Sequence, residues 1–448
     1  MGEDIARIIM EAGIVGAGGA GFPTHVKVAG STRTIVVNGA ECEPLLRVDQ
    51  QLMEQRSGEI IAGLAAVMEA TGAAEGVIAL KGKYKGAIAN LTKAIHNSVK
   101  PITIYILGDF FPAGDEHVTV YEAIGRLVPQ GDIPLKVDCI VVNVETLLNV
   151  AGALQGKPVT HTYLTIAGAV AAATTLRLPI GTSIKTALAL AGVKELNGMR
   201  VIEGGPMMGK VVADISQPVT KTTKGLIVLQ ENHPLVKKKL QPMERIVKQA
   251  KAACIQCRVC TDLCPRYLLG HQLEPHRIMR CLNYLDGDEK IIKMSLSCSE
   301  CGVCEQYACV MGLSPRAVNS KLKKELAAKG ITPGVAPEEQ KAAKLQSDRK
   351  VPLKRLVARL GLSQYDRPAP LTEAEYSISQ VALLLKQHVG APSVPVVGVG
   401  HQVKKGDLIA IIPDKSLGAN LHASINGFVS QVSDRIVITQ DREGRDAP

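Results

Sequence analysis

The spacing of apolar residues changes along this chain, and each change marks a different kind of unit. Residues 4–13 place Ile5, Ile8, Ile9 and Ala12 on one side of a 3.6-residue repeat, which predicts an amphipathic helix. Continuous apolar runs follow at 34–38 (TIVVN), 76–80 (GVIAL), 102–107 (ITIYIL) and 138–143 (DCIVVN). Helical patterns at 48–70, 83–97 and 118–128 separate most of them. Buried strands alternating with helices predict a parallel, doubly wound sheet, placed at 1–155.

From 161 to 230 the texture shifts to short strands and glycine turns: HTYLTIAGAV, LPIGTSIKTALALAG and MRVIEGGPMMG, with one helical stretch at 184–192. A small β-rich domain with a single helix is expected over 156–235. Residues 240–330 are helical in pattern, as in QLEPHRIMRCLNYL. Residues 331–380 are rich in Pro, Ala, Lys and Glu and read as a partly ordered linker. The stretch 381–440 alternates apolar and polar positions between regular turns, the pattern of a compact all-β module. The fold class is therefore α/β, in several domains.

Composition narrows this further. With 448 residues, two to four domains fit. Trp is absent and aromatics make up 3%, so the cores must be built from Val, Ile, Leu and Ala, and base stacking on nucleic acid is disfavoured. The formal charge of +10 concentrates around Lys237, Lys238, Lys239, Arg245, Lys248, Lys251, Arg258 and Arg266. No helix-turn-helix or RNA-recognition signature accompanies it, so no nucleic-acid partner is expected. No secretory leader opens the chain and no uncharged apolar run reaches membrane-spanning length, which points to the cytoplasm.

That basic stretch surrounds two cysteine runs. CIQCRVCTDLCP supplies Cys254, Cys257, Cys260 and Cys264, and CSECGVCEQYAC supplies Cys298, Cys301, Cys304 and Cys309. Three thiolates at three-residue steps, then a more distant fourth, is the spacing that wraps a 4Fe–4S cube. Zinc knuckles instead pair C-x2-C units a dozen or more residues apart. Two oxidised clusters with eight thiolates bring roughly −4, leaving a net charge near about +6. In two-cluster proteins the fourth cysteine of each run usually crosses over. Cys309 is therefore expected with the first three thiols and Cys264 with the second three. The second run departs in having a longer last gap and Val310 where Pro is usual. Cys42, Cys139 and Cys281 read as small buried apolar residues.

The loop GAGGAGFPTHVK (16–27) satisfies GxGxxG through Gly16, Gly18 and Gly21, with Glu41 twenty residues beyond. A dinucleotide fingerprint must follow a strand and open a helix, whereas here a helix pattern precedes and Phe22-Pro23 follows. On its residues alone the loop is either a phosphate cradle with Lys27 at hand or a tight turn.

The loop is similar to the flavin loop of the NADH-binding flavoprotein of respiratory complex I. NGAECEP (38–44), PAGDEH (112–117) and VVNVETLLNV (141–150) resemble that family's other flavin-contact segments, in the same order. The resemblance implies FMN, with Gly16, Gly18, Gly19 and Lys27 at its phosphate and ribityl chain. Asn38, Glu41, Gly114, Glu116 and Asn143 would surround the isoalloxazine and its sugar. Ala17, Ala40 and Val142 stand where that family has Arg, Asp and Asn.

LTIAGAV, PIGTSI and VIEGGPMMG resemble a soluble-ligand-binding β-grasp (SLBB) domain. A flavin domain, a β-grasp domain and two clusters in that order resemble the RnfC family, whose barrel-sandwich module usually comes first; here it comes last. That permuted order resembles the cobalamin reductases of propanediol-utilisation microcompartments, through QPVTKTTKGLIVL, CTDLCPRYLLGH and LHASINGFVS among others. The implied architecture is a Rossmann-like FMN domain, an SLBB domain, a helical dicluster ferredoxin domain and a barrel-sandwich hybrid module resembling lipoyl domains. Lys415 near its hairpin tip lacks the flanking residues of an attachment site and reads as a surface lysine.

The implied activity is electron transfer from NADH through FMN and two 4Fe–4S clusters to cobalamin, reactivating the cofactor of a diol dehydratase inside a bacterial microcompartment. The alternative is an RnfC-like electron carrier serving another redox partner, in a membrane-docked complex or a vitamin-independent microcompartment. Implied partners are cobalamin as transient substrate, a corrinoid adenosyltransferase and shell proteins. No Asp-x-His-x-x-Gly cobalamin anchor is present, and no catalytic residue is assigned.

Overall fold

The computed structural model describes residues 2–282, 288–333 and 339–440. Helix α1 (Gly2–Glu11) buries Ile5 and Ile9 and leads through the glycine loop to a short α2 (Thr24–Val28). Then come β1 (Thr34–Gly39), α3 (Val48–Gln55), α4 (Ser57–Thr71), β2 (Glu75–Lys81), α5 (Lys85–His96) and β3 (Ile102–Leu107). A short β4 (Phe110–Phe111), α6 (Glu116–Ile124), β5 (Cys139–Asn143) and α7 (Val144–Ala153) follow. The sheet runs β3-β2-β1-β5, all parallel, as the alternation of apolar runs and helices requires.

Two helices differ from the pattern. The helix expected over 48–70 breaks at Arg56 (φ −126°), whose guanidinium binds Glu59 and reaches across to Glu373. The helix expected at 118–128 starts earlier, because Asp115 caps it by accepting from the His117 and Val118 amides, and it stops at Gly125.

The second unit is a six-stranded sheet. It contains β6 (His161–Gly168), β7 (Thr174–Pro179), β8 (Met199–Glu203), β9 (Lys210–Val211) and β10 (Gly225–Gln230), with α8 (Ile184–Leu190) packed on it. The sixth strand is Leu371–Thr372, paired parallel to β7. Helices at Met243–Ala253, Pro275–Cys281 and Pro315–Ala328 frame the cysteine runs. The helical pattern expected on through Asn283 to Leu285 lies outside the described residues. At the C-terminal end a four-stranded and a three-stranded antiparallel sheet form the last module.

Where it is described, the 331–380 stretch is a strap rather than a loose linker. Val351–Pro352 pairs antiparallel with β4, and Leu353–Arg359 is helical. Val351, Leu353, Leu356, Val357, Leu360 and Leu362 share a core with Leu45, Met207, Ile227 and Cys301. The apolar spacing of Leu353, Leu356, Val357 and Leu360 is helical, and burial outweighs the charged composition around it. A second core joins the parallel sheet to the C-terminal module, with Ile9, Ile35 and Leu64 in one cluster with Val381, Ile409 and Ile438.

Polar contacts join the units as well. Lys224 Nζ binds Glu145, and it binds Asp49 at 3.4 Å. Glu145 is 1% exposed, and its carboxyl is raised by burial while Lys224 draws it down. Lys221 Nζ donates to the Gly13 carbonyl at 2.6 Å and the Asn420 carbonyl at 2.7 Å. Burial with no carboxylate beside it brings Lys221 down to about 7.

Lys224→Met should cost ~3–5 kcal/mol in chemical denaturation, because it leaves buried carboxylates unpaired. Adding Glu145→Gln should recover part of that loss. Lys221 gives a pH signature. An unfolded lysine keeps its proton to about pH 10.4, while the folded one releases it near 7. Between those values the unfolded state binds more protons, so stability should rise with pH. Lys221→Met should flatten that rise, measured as unfolding free energy against pH.

Candidate functional site

β1 leads outward to β2 and β3, while β5 returns on its other side, so the crevice beyond the carboxyl ends of β1 and β5 is a topological switch point. Asn38 and Asn143 are register partners at the carboxyl ends of these strands, Asn143 as the last residue of β5 and Asn38 one before the last of β1. Asn38 Nδ2 donates to the Gly114 carbonyl at 2.9 Å, and its Oδ1 accepts from the Ala40 amide at 3.2 Å. Asn143 caps α7 by accepting from the Glu145 amide at 2.9 Å, and its Nδ2 donates to Asp49 at 2.8 Å.

The glycine loop folds onto the same place. The Ala17 amide donates to Thr146 Oγ1 at 3.0 Å. A Cβ on Gly18 would sit 2.7 Å from Asn143 Nδ2, so only glycine lets the loop approach that closely. Gly19 faces open space. Lys27 donates to the Val141 carbonyl at 2.6 Å and to Glu116 at 2.9 Å. Glu41 accepts from the Asp49 and Gln50 amides at the start of α3, at 2.8 and 3.1 Å. Burial, with Asp49 nearby, pushes its carboxyl up to about 7. Gly16 closes the loop by donating to the Phe22 carbonyl at 2.9 Å.

The structure thus gathers the loop, Asn38, Glu41, Gly114, Glu116, Lys27 and Asn143 along one rim of the sheet. An open glycine loop with a cation behind it and a helix N-terminus beside it fits a phosphorylated flavin. Sequence reasoning missed Asp49, Thr146, Glu145 and Lys224, which hold Asn143 and the loop in place. It also missed Glu43, which accepts from the Met207 and Met208 amides at 2.9 and 2.7 Å and fastens the crevice to the β-rich unit. Glu43, Glu145, Thr146 and Lys224 lie inside the quoted motifs, so their position carried a signal; the pairing of Asp49 with Lys224 joins distant parts of the sequence and carried none.

The cysteine runs wrap alike. Gln256 and Glu300 are left-handed at the same place in each run, and so are Arg258 and Gly302. These turns aim amides and side chains at sulfur: Gln256 Nε2 lies 3.1 Å from Cys254 Sγ, and the Glu300 amide donates to Cys298 Sγ at 3.4 Å. Cys254, Cys257, Cys260 and Cys309 line one cavity, together with Ile255, Met279, Met311 and Leu313. Cys264, Cys298, Cys301 and Cys304 line another, with Arg316 and Asn319 in its wall. The fourth cysteine of each run has crossed to the other run's cavity. Cys304–Ala308 form a wider π-type turn, and the extra residue before Cys309 carries its sulfur across.

Among the described residues no three His, Cys, Asp or Glu side chains converge on one ion. Thiols spread around a cavity suit a cube, whose irons occupy separate corners, better than a single metal. Burial pushes the Cys260 and Cys264 thiols up to about 12. Cys42, between the two regions, packs against the core containing Cys301 and against the core containing Ala40 and Ala113. Cys139 is buried at the start of β5, and Lys415 is exposed.

Cys264→Ser should remove or alter the cluster of Cys298, Cys301 and Cys304 while sparing that of Cys254, Cys257 and Cys260, as read by electron paramagnetic resonance (EPR). Damage confined to the latter would overturn the crossed arrangement.

The family model of the Nuo51 FMN-binding domain matches residues 9–152, and that of a 4Fe-4S dicluster domain matches 253–314. The RnfC barrel sandwich hybrid domain matches 367–444. The chain thus carries an FMN domain and a domain for two clusters. Its fold resembles a chain of NAD+-reducing NiFe hydrogenase in the H2-reduced state, with a TM-score of 0.51 and 20% identity over 78% of this chain and 66% of that one. A component of the Na+-translocating ferredoxin:NAD+ oxidoreductase complex of Acetobacterium woodii is 34% identical over 59% of this chain and 58% of its own length. Cobalamin reductase PduS of Salmonella typhimurium is 45% identical over 97% of this chain and 96% of that protein. PduS of Citrobacter freundii is 44% identical over the same share. With the crevice, the paired cavities and the barrel-sandwich module in one order along nearly the whole length, the chain belongs to the family of cobalamin reductase PduS.

Proposed function

We propose that the protein takes electrons from NADH and delivers them one at a time to cobalamin. One observation carries this reading: a switch-point crevice that fits FMN lies in the same folded body as two cavities, each lined by four cysteines. FMN supplies hydride acceptance and the change from two-electron to one-electron transfer, and clusters carry single electrons.

The residues have these roles. The loop at Gly16, Gly18 and Gly19, with Lys27, holds the flavin phosphate and ribityl chain. Asn38, Glu41, Gly114, Glu116 and Asn143 border the ring and its sugar. Glu116 holds the Lys27 ammonium in place from the start of α6. Cys254, Cys257, Cys260 and Cys309 ligate one cluster, and Cys264, Cys298, Cys301 and Cys304 the other. Units at 1–155, 156–235, 240–330 and 381–440 serve as flavin, β-grasp, cluster and barrel-sandwich parts. The resemblance to propanediol-utilisation reductases supports a place inside a microcompartment, with a corrinoid adenosyltransferase and shell proteins as partners. No helix among the described residues is long and apolar enough to cross a membrane.

Anaerobically reconstituted protein should hold about eight iron and eight sulfide per chain. It should bleach NADH with matching reduction of cobalamin, followed by absorbance. Iron near four, or NADH oxidation with no corrin reduction, would refute the reading. Lys27→Ala should lose bound FMN and keep its iron and sulfide, measured on the same sample.

A further inference from the structure

The run carrying Cys264 is tied to the flavin crevice by a buried ion pair. Arg266 stands two residues after Cys264, and its Nη2 donates to Asp115 Oδ2 at 3.0 Å. The two side chains are only 11% and 7% exposed. The other Asp115 oxygen caps α6, so the pair fastens this run to the segment Gly114–Glu116.

This joint holds more donors than it uses. Nε and Nη1 of Arg266 are buried without a partner, and the imidazoles of His117 and His271, kept neutral by burial, stand near it. The two imidazoles lie beside each other, with centroids 5.3 Å apart. A buried guanidinium with one carboxylate bond and unspent N–H groups calls for further acceptors nearby. The sulfurs of a thiolate-ligated cluster are acceptors, and donors beside them raise its potential. Arg remains charged at any working pH, so the effect would be constant.

The other cavity differs. Cys257 in its wall is exposed. Ile255 and Val310 beside it are each 60% exposed, and Met311 is 45% exposed. Of the two sites, this one meets solvent, while the Cys264 run is joined to the crevice segment through Arg266 and Asp115.

We propose that Arg266, anchored by Asp115, is a positioning residue that makes the Cys264, Cys298, Cys301 and Cys304 cluster the receiving one. Electrons enter there from the crevice, move to the cluster of Cys254, Cys257, Cys260 and Cys309, and leave at its exposed Cys257 edge. This rests on the NADH-to-cobalamin reading above. The electron balance is that of the reading: NADH is oxidised, the corrin is reduced, and each cluster takes and returns one electron at a time.

The test uses the full-length holoprotein with Arg266→Gln, Arg266→Lys and Asp115→Asn. The readouts are freeze-quench EPR after NADH addition and a mediated potential titration. In Arg266→Gln, FMN content and dithionite-reduced EPR intensity should match the parent. NADH-driven reduction of both clusters should slow at least tenfold, and the midpoint of the Cys264 cluster should move to a more negative value. Arg266→Lys should recover much of the rate. Asp115→Asn keeps a good helix cap and loses the ion pair; it should slow reduction in the same direction, which covers the case of an unstable Arg266→Gln. Parent rates and an unchanged potential in Arg266→Gln and Asp115→Asn would overturn the proposal. So would NADH-driven reduction of the Cys257 cluster at the parent rate in a Cys301→Ser protein shown by iron content to lack the other cluster. The titration needs no NADH. A shifted midpoint in a protein whose clusters NADH never reduces would therefore overturn the NADH reading while leaving the Arg266 contact standing.

Discussion

A thiolate cannot be buried alone, and that constraint organises the middle of this protein. Burial raises the Cys260 and Cys264 thiols to about 12, far into the range where they keep their protons. Thiols must lose their protons to ligate iron, so cluster assembly is coupled to the folding of this region. The crossing of Cys264 and Cys309 makes the dependence mutual, since each cavity is closed by a sulfur from the other run. Cys301 also sits in a core with Leu45, Met207 and Leu356, so three neighbouring parts of the chain lean on the cluster site.

The crevice is held by an opposite device. Its polar residues are spent largely on each other: Asn143 on Asp49, Asp49 and Glu145 on Lys224, Glu41 on the start of α3. Such a network fixes side chains that a bound flavin would otherwise have to order, which lowers the entropy lost on binding. Lys224 comes from the β-rich unit, so that unit forms one wall of the network supporting the flavin site. Glu43 repeats the arrangement at the Met207–Met208 turn. The β-rich unit therefore acts here as a brace between crevice and cysteine cavities.

The C-terminal module and the strap before it are equally integrated. Leu371–Thr372 adds a strand to the β-rich sheet, Val351–Pro352 adds one to β4, and the module's core is continuous with that of the parallel sheet. A module placed at either end of a chain can occupy one position in space when a strap of sufficient length returns it there. Here the strap is bound along its described course, which fixes that position.

Sequence alone determined whatever depends on local spacing. Three-residue steps between cysteines, period-2 and period-3.6 apolar patterns and the glycine loop all describe neighbours along the backbone, and backbone geometry turns them directly into ligand sets and elements. The boundaries at Arg56 and Asp115 were less legible, because a cap and a long-range ion pair outweighed propensity there. Only the tertiary structure decided which units touch. The strap looked like a linker because charge in its composition masked apolar residues, Val351 to Leu362, whose partners lie in three other parts of the chain. The sequence assigns no role to Asp49, Lys224 or Asp115 by themselves, and Arg266 reads there only as part of the basic stretch around the cysteine runs. They became structural through burial, and burial is a property of the whole packed chain: a carboxylate and a cation find each other across more than a hundred residues only after every intervening element has folded into place.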